Sequence, residues 1–187
     1  MTRWEPGARE RLNSAALDLY ASKGFEETTV AEIAQAAGLT ERTFFRYFAD
    51  KREMLFDGSA VLQQRMVDAV AGSPAGATPL DAVGASLDAV GEIFVDLDHS
   101  RRRQVIIDSD SSLQERELIK RDRLATAITQ ALRERGVEEP AASLAAQTGI
   151  GVFHVAFAAW IAPGNTRSYA DIARALLVEL MAVTRPR

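Results

Sequence analysis

The heptapeptide ERTFFRY, residues 41–47, concentrates side chains that can bind nucleic acid. Guanidinium groups donate to phosphates and to guanine, hydroxyl groups bond phosphates or bases, and an aromatic ring can contact a thymine methyl group. At helical spacing Phe44 and Phe48 share one face and hold the helix down. The outward face then carries Arg42, Thr43, Phe45, Arg46 and Tyr47. The pattern predicts a short helix whose outward face suits a DNA major groove.

Capping signals before this segment predict the elements that position it. Thr29 and Glu32 have the spacing of a capping box, which starts a helix with an apolar stripe. Gly38 suits the left-handed residue that ends this helix, and Thr40 can cap the next one. Two short helices joined by a tight turn are typical of a helix-turn-helix, whose second helix reads DNA.

A third capping signal follows the second short helix. Asp50 and Glu53 have the spacing of a further capping box, so a longer helix is expected to begin at Lys51. The residues expected to contact DNA are Thr29, Val30, Thr40, Arg42, Thr43, Phe45, Arg46, Tyr47 and Lys51.

Residues 28–51, TTVAEIAQAAGLTERTFFRYFADK, resemble the DNA-binding segment of the TetR family of bacterial transcriptional regulators. Nearly every element of that family's pattern is present in this run. One position departs from it: Phe45 stands where the family has tyrosine, so the hydroxyl is missing. If the tyrosine normally donates to a phosphate or a base, we expect an apolar contact instead, such as one to a thymine methyl group.

The whole chain is patterned as an all-α protein of about nine helices, and no segment shows sustained two-residue alternation. Three helices form a DNA-binding domain of residues 1–50. Six form a ligand-binding and dimerisation domain of residues 51–187, with a linker at 72–79 and a short helix at 101–108. The capping pairs expected to open its other helices are Thr78 with Asp81, Ser112 with Glu115, and Ser168 with Asp171.

The last two long helices are the expected dimer surface. Small residues crowd positions 141–159, and small residues let helices approach closely. In the TetR family the last two helices of each subunit form a four-helix bundle, so the resemblance implies a homodimer. The alternative is that these helices pack only inside one subunit. DNA recognition also favours a dimer, because two DNA-binding domains about 34–36 Å apart can read a palindromic operator.

Bulky apolar residues in the C-terminal domain can line a cavity for a small-molecule effector. The residues expected to line it are Leu62, Met66, Phe94, Arg103, Ile107, Phe153, His154 and Phe157. His154 lies in an otherwise apolar helix, where it is either a ligand contact or a satisfied structural histidine. The cluster Arg101–Arg103 either binds phosphates of an anionic ligand or is a solvated helix start.

A second resemblance bears on that effector. The C-terminal domain, especially SLQERELIKRDRLATAITQALRERG and the helix after it, is similar to that of TetR-type regulators related to the mycofactocin regulator. That group is associated with acyl-coenzyme A-like ligands. The resemblance implies an apolar tunnel for an acyl chain and a basic mouth for phosphates.

Composition argues against an enzyme and against a metal or cofactor site. The chain has no cysteine and only two histidines, His99 and His154, without metal-ligand spacing. The glycine pair Gly149 and Gly151 lies within a helix and is no phosphate loop. No catalytic residue, metal or cofactor is expected.

The net charge is divided unevenly along the chain. Residues 1–52 have equal numbers of basic and acidic side chains, and residues 53–187 carry the whole net charge of −4. DNA affinity should therefore depend on local contacts and on two copies of the DNA-binding domain.

Hydropathy favours a cytoplasmic protein without a membrane partner. Residues 1–6 lack the apolar core of a signal peptide, and the apolar run 150–162 is too short to span a membrane.

The sequence thus predicts a TetR-type transcriptional regulator, a repressor that a small apolar or acyl-CoA-like ligand releases from its operator. Ligand in the C-terminal domain would move the helix beginning at Lys51 and shift the heads out of register. The alternative is a helical ligand-binding module that has lost specific DNA binding, for which Phe45 is the one hint.

Overall fold

The computed structural model describes residues 7–183. Within that range the chain forms nine α-helices and no strand, which confirms the all-α prediction. The helices are α1 Ala8–Lys23, α2 Val30–Ala36, α3 Glu41–Tyr47, α4 Ser59–Ala71, α5 Pro79–Gly91, α6 Leu97–Asp108, α7 Ser111–Glu134, α8 Ala141–Ile161 and α9 Tyr169–Val183.

The described residues fall into two compact units. The head unit comprises the chain up to Asp57 together with Arg101–Glu117, and the body unit comprises Gly58–Ser100 together with the chain from Leu118 onward. Residues 101–117 join the head because they contribute to its apolar core, through Ile106, Ile107 and Leu113. The sequence-based division at residue 50 concerns functional domains, and it stays a prediction.

The long helix expected to begin at Lys51 is not formed there. A single 310 turn, Glu53–Phe56, follows α3, and α4 begins only at Ser59. Gly58 separates the two because its φ of 83° is left-handed, which ends a right-handed helical path. Asp50 does act as a cap, since its carboxylate accepts from the backbone N–H of Glu53 at 2.9 Å.

Most of the other capping signals are confirmed. Each needs only two residues three positions apart in the sequence, so it does not depend on tertiary contacts. Capping boxes or side-chain caps open α2 at Thr29, α3 at Thr40, α5 at Thr78 and α9 at Ser168.

The prediction for α7 was wrong: Asp110, and not Ser112, caps this helix. The Asp110 carboxylate accepts from the N–H groups of Ser112 and Leu113, at 2.9 and 3.0 Å, and from the Ser112 hydroxyl. These hydrogen bonds, chiefly the one from the hydroxyl, lower the pKa of Asp110. The helix expected at 101–108 also begins earlier, at Leu97, and Asp96 accepts from the N–H of His99 near its start.

The core of the body unit depends on close approach between α5, α8 and α9. Gly149 of α8 lies so near Val83 of α5 that a Cβ at residue 149 would overlap the valine side chain. At the end of α5, a Cβ on Gly91 would come within 2.9 Å of the Ala170 Cβ on α9. The small residues of α8 therefore serve packing within one subunit, whatever else their exposed members do.

Helix α8 is also long and apolar enough to cross a membrane by length and composition, contrary to the estimate from residues 150–162. The difference arises because the alanine-rich first half extends the apolar run to 21 residues. The helix nevertheless contributes nine buried residues to the body unit, and core helices pass the same test.

Gly149→Ala is expected to lower the free energy of unfolding by about 1–3 kcal/mol, because it overpacks the contact with Val83. Gly76→Ala is the control, since a Cβ there meets nothing within 4 Å and no left-handed φ is recorded at this position. That variant should change the free energy of unfolding by less than about 1 kcal/mol. Urea denaturation measures both, and equal stability of the two variants would contradict the tight contact.

Candidate nucleic-acid interface

Helix α3 buries the aromatic side and exposes the basic side that the sequence predicts. We call the side that carries Arg42, Phe45, Arg46 and Tyr47 the recognition face. Phe44 is fully buried and packs against Phe48, with ring centroids 5.6 Å apart. On the other side Arg42, Phe45 and Arg46 are exposed, and the Phe45 side chain is 55% exposed. The Phe45 ring meets the Phe44 ring edge-on, with centroids 5.3 Å apart, and its other side faces solvent, so Phe45 is the most distinctive group of this face.

Arg46 and Tyr47 form a pair at the end of α3. The guanidinium carbon lies 4.9 Å from the centroid of the Tyr47 ring, and Nη2 donates to the Tyr47 hydroxyl at 3.3 Å. A cation over an aromatic face is held by the ring quadrupole while it keeps its charge. The pair can therefore present a positive charge and a hydroxyl together to a phosphate.

The N-terminus of α2 is fixed by the Thr29–Glu32 capping box. The N–H and hydroxyl of Thr29 donate to Glu32 Oε2, both at 2.9 Å, and the N–H of Glu32 donates back to Thr29 Oγ1. Lys23 also donates to Glu32, at 2.6 Å. The hydrogen bonds from Lys23 and Thr29 lower the pKa of Glu32 to about 2. Because the folded pKa is lowered, this support is present above the ordinary pKa and is lost as pH falls towards 2.

Lys51 has a structural role that its sequence position did not reveal. Its ammonium group donates to the backbone carbonyls of Phe25, Glu26 and Thr28, at 2.8, 2.9 and 3.0 Å. The same Nζ lies 4.5 Å from the centroid of the Phe25 ring. The three donors of the ammonium group are thus engaged in the turn between α1 and α2. A phosphate contact by Lys51 stays a prediction, and it would have to replace one of these bonds.

The other residues expected to contact DNA are less prominent. Thr40 is exposed and caps α3, Thr43 and Val30 are half-buried, and the Thr29 hydroxyl is engaged in the capping box. The structure therefore brings one coherent outward face together, formed by Arg42, Phe45 and the Arg46–Tyr47 pair.

Arg103, expected to bind ligand phosphates, is engaged within the head unit. Its Nη2 donates to Glu117 at 2.7 Å, its Nε donates to the carbonyl of Leu55, and its guanidinium lies 5.2 Å from the Phe56 ring centroid. Ile107, expected to line the same cavity, is buried in the head core. Tertiary contacts therefore place both side chains in the head unit and not in the core of the body unit, and a ligand contact by either stays a prediction.

The remaining residues expected to bind the effector lie in the body unit. Leu62, Met66 and Phe153 are buried in its core, and Phe94 and Phe157 are half-buried against it. His154 was expected among them but is exposed on α8. It follows the buried Val152 and Phe153 by one or two positions, and the 100° turn per residue carries it to the outer face.

Sequence reasoning missed one member of this apolar group, Tyr169. The residue is buried beside Phe94 and Phe153, and its position directly after the Ser168 cap was the available signal. Among the described residues, no group of three or more His, Cys, Asp or Glu side chains is placed to hold a metal ion.

Comparison with known proteins identifies relatives of the head unit. Residues 12–57 match the family described as bacterial regulatory proteins, tetR family. The chain is 38% identical over 82 residues to the HTH-type transcriptional regulator TcmR of Streptomyces glaucescens. That match covers 44% of this chain and 36% of TcmR, so the chain spans only about a third of this relative.

Solved structures of similar fold extend over nearly the whole chain. One is the TetR-family repressor FadR of Thermus thermophilus in complex with lauroyl-CoA, at 24% identity, 96% coverage of both chains and a TM-score of 0.56. Another is FadR of Bacillus subtilis in complex with stearoyl-CoA, at 18% identity, 94% and 99% coverage and a TM-score of 0.67. At these identities the likeness establishes the fold alone.

Lys51→Met is expected to lower the free energy of unfolding by about 2–3 kcal/mol, because it leaves carbonyl acceptors in the α1–α2 turn without their donor. Lys23→Met is the matched control: its ammonium bonds only the surface carboxylate of Glu32 among the contacts described, so little change is expected. Urea denaturation followed by circular dichroism measures both. A Lys51→Met protein as stable as the unsubstituted one would return Lys51 to the role of a free phosphate ligand.

Proposed function

We propose that the chain is a DNA-binding transcriptional regulator of the TetR family, because residues 12–57 match that family and the chain is 38% identical to TcmR over 82 residues. The observation that carries this proposal is the outward face of α3, where Arg42, Phe45 and the Arg46–Tyr47 pair stand over a fully buried Phe44. Such a helix presents donors, a charge and an apolar ring together on one exposed face, which are the groups that read base edges in a major groove. A regulator of this kind works in the cytoplasm.

The second part of the proposal is a homodimer formed through α8 and α9. On α8 the large apolar side chains of Leu144 and Val155 are 65% and 52% exposed, and on α9 those of Val178 and Met181 are exposed as well. Gly151 lies between Leu144 and Val155 on the outer face of α8, and its lack of a side chain leaves room for a helix of the second copy to pack closely. An apolar stripe shared by two neighbouring helices favours a two-fold symmetric bundle with a second copy.

The third part concerns the effector, a small apolar or acyl-CoA-like molecule bound in the body unit. Two FadR proteins of similar fold are described in complexes with lauroyl-CoA and stearoyl-CoA, which supports this class of ligand. Phe94 and Phe157 are half-buried against the apolar core of the body unit, which is where such a ligand would first meet apolar side chains. Arg103 is not carried forward as the phosphate ligand, because it is paired with Glu117.

The fourth part is repression. In this proposal the ligand-free dimer holds its heads at operator spacing, and an effector that prefers the other state releases the DNA. No continuous helix from Lys51 transmits the change, because Gly58 interrupts that path. The chain instead passes between the units at residues 57–58, 100–101 and 117–118.

Selection of random double-stranded DNA by the purified protein is expected to recover an inverted repeat with half-sites about one helical turn apart. Arg46→Ala should then weaken binding to all sequences and flatten its salt dependence, whereas Arg42→Ala should change the preferred sequence. Uracil in place of thymine within the repeat removes the methyl group and tests the contact expected of Phe45.

No enrichment at low salt by a folded dimer would contradict the regulator proposal. That result would favour the alternative function, a helical ligand-binding module without specific DNA binding, to which the missing tyrosine hydroxyl at Phe45 points.

Val155→Glu is expected to give a monomer with weakened operator binding, because it buries a charge in the proposed α8–α9 interface. Val105→Glu is the matched control, since Val105 is 70% exposed in the head unit. Sedimentation at several concentrations measures the mass, and thermal unfolding checks that both variants fold. A Val155→Glu protein that remains dimeric would exclude this face as the interface.

A further inference from the structure

Five aromatic rings meet at one end of the body unit. Phe94 lies in the non-helical segment between α5 and α6, and it touches the other four. Its ring stacks on Trp160 at 5.4 Å with an interplanar angle of 6°, and meets Tyr169 edge-on at 5.1 Å. We call the four surrounding residues, Phe153, Phe157, Trp160 and Tyr169, the aromatic box.

One polar atom of this box is without a partner. Tyr169 is 1% exposed, and its hydroxyl is buried with no hydrogen bond. Tyr20 provides the contrast: it is 3% exposed, and its hydroxyl donates to the Lys51 carbonyl at 2.7 Å. Buried tyrosine hydroxyls normally have such a partner, and an unpaired one lowers stability. Burial raises the pKa of Tyr169, so the group is a neutral hydroxyl that can donate and accept.

Phe94 differs from most of the aromatic box in its exposure and in its backbone. It is half-buried, whereas Phe153, Trp160 and Tyr169 are buried. Its backbone belongs to a short connection whose next residue, Val95, is 79% exposed. The frame beneath it is tight, because Gly91 and Ala170 approach too closely to admit a Cβ at residue 91. Closely packed helices around one accessible ring suit a binding site in which a ligand displaces that ring.

We propose that the aromatic box binds a flat aromatic group carrying a hydroxyl or carbonyl. The ligand ring takes the place of Phe94 against Trp160, and its polar group forms a hydrogen bond with the Tyr169 hydroxyl. Stacked and edge-on ring contacts favour a flat ring over a flexible chain, and an acyl chain offers nothing to the hydroxyl. This inference rests on the proposed function and deepens it, by choosing the small apolar effector over the acyl-CoA-like one and by naming its chemistry.

Two probes with the same ring system, 1-naphthol and naphthalene, test the site. Equilibrium dialysis measures the affinity of each for the full-length protein. The protein is expected to bind 1-naphthol about fivefold to tenfold more tightly, the value of one added hydrogen bond. Tyr169→Phe should remove that preference and leave naphthalene binding unchanged. Phe94→Ala should strengthen binding of both probes, because no ring then has to be displaced.

Thermal unfolding without ligand separates this role from a structural one. Tyr169→Phe is expected to keep or raise the Tm, since it removes an unpaired hydroxyl. Tyr20→Phe is the matched control and should lower the Tm, because it leaves the Lys51 carbonyl without its donor. A Tyr169→Phe protein that loses as much stability as Tyr20→Phe would show that the hydroxyl is satisfied internally or by a fixed water, which overturns the inference.

Failure of the probes can be distinguished from failure of the regulator proposal, because the DNA selection uses ligand-free protein. Recovery of an inverted repeat with no binding of either probe, or with a preference that survives Tyr169→Phe, overturns only the aromatic site. Probe binding with the expected preference, but no recovered repeat, supports the site and favours the ligand-binding module.

Discussion

The ammonium group of Lys51 connects the chain that follows α3 to the turn that precedes α2, and the placement of α3 depends on that connection. The carbonyls it binds belong to the turn that leads directly into α2. Helix α2 is then held from two sides, by this turn and by the Thr29–Glu32 box. Helix α3 follows across Gly38, whose φ of 66° allows the tight reversal. A change in the turn would therefore reach the recognition face through rigid, short elements.

The body unit depends on a different constraint, the closeness of its helices. Glycine at 91 and 149 allows α5 to approach α9 and α8 more closely than any other residue would. Close packing of this kind leaves little freedom to the side chains it surrounds. The Tyr169 hydroxyl has no partner in such a frame, whereas Phe94 lies half-buried on a short non-helical connection. The unpaired hydroxyl and the half-buried ring therefore occur together, which is unexpected in a core built for stability alone.

Local signals in the sequence were sufficient for most helix starts and for the burial pattern of α3. The Thr29, Thr40, Thr78 and Ser168 caps involve residues three positions apart, and the burial of Phe44 follows from helical spacing. Signals that depend on tertiary contacts were not sufficient. Arg103 and Lys51 look like free cations in the sequence, but their partners lie up to 48 residues away. His154 looked buried because its neighbours are apolar, although the turn of the helix carries it outward.

The distribution of charge connects the recognition face with the proposed dimer. Equal numbers of acidic and basic residues in the first 52 positions leave no strong attraction to the DNA backbone. The seven residues of α3 offer few contacts to bases, and one of them, Phe45, offers only an apolar surface. A single head of this composition would bind weakly and without much discrimination. Two heads held at a fixed distance add their contacts without a second loss of rotational and translational freedom. In the proposed regulator, the exposed apolar stripe of α8 and α9 therefore has a role in DNA binding, because it holds two head units together where one lacks the charge to bind strongly by itself.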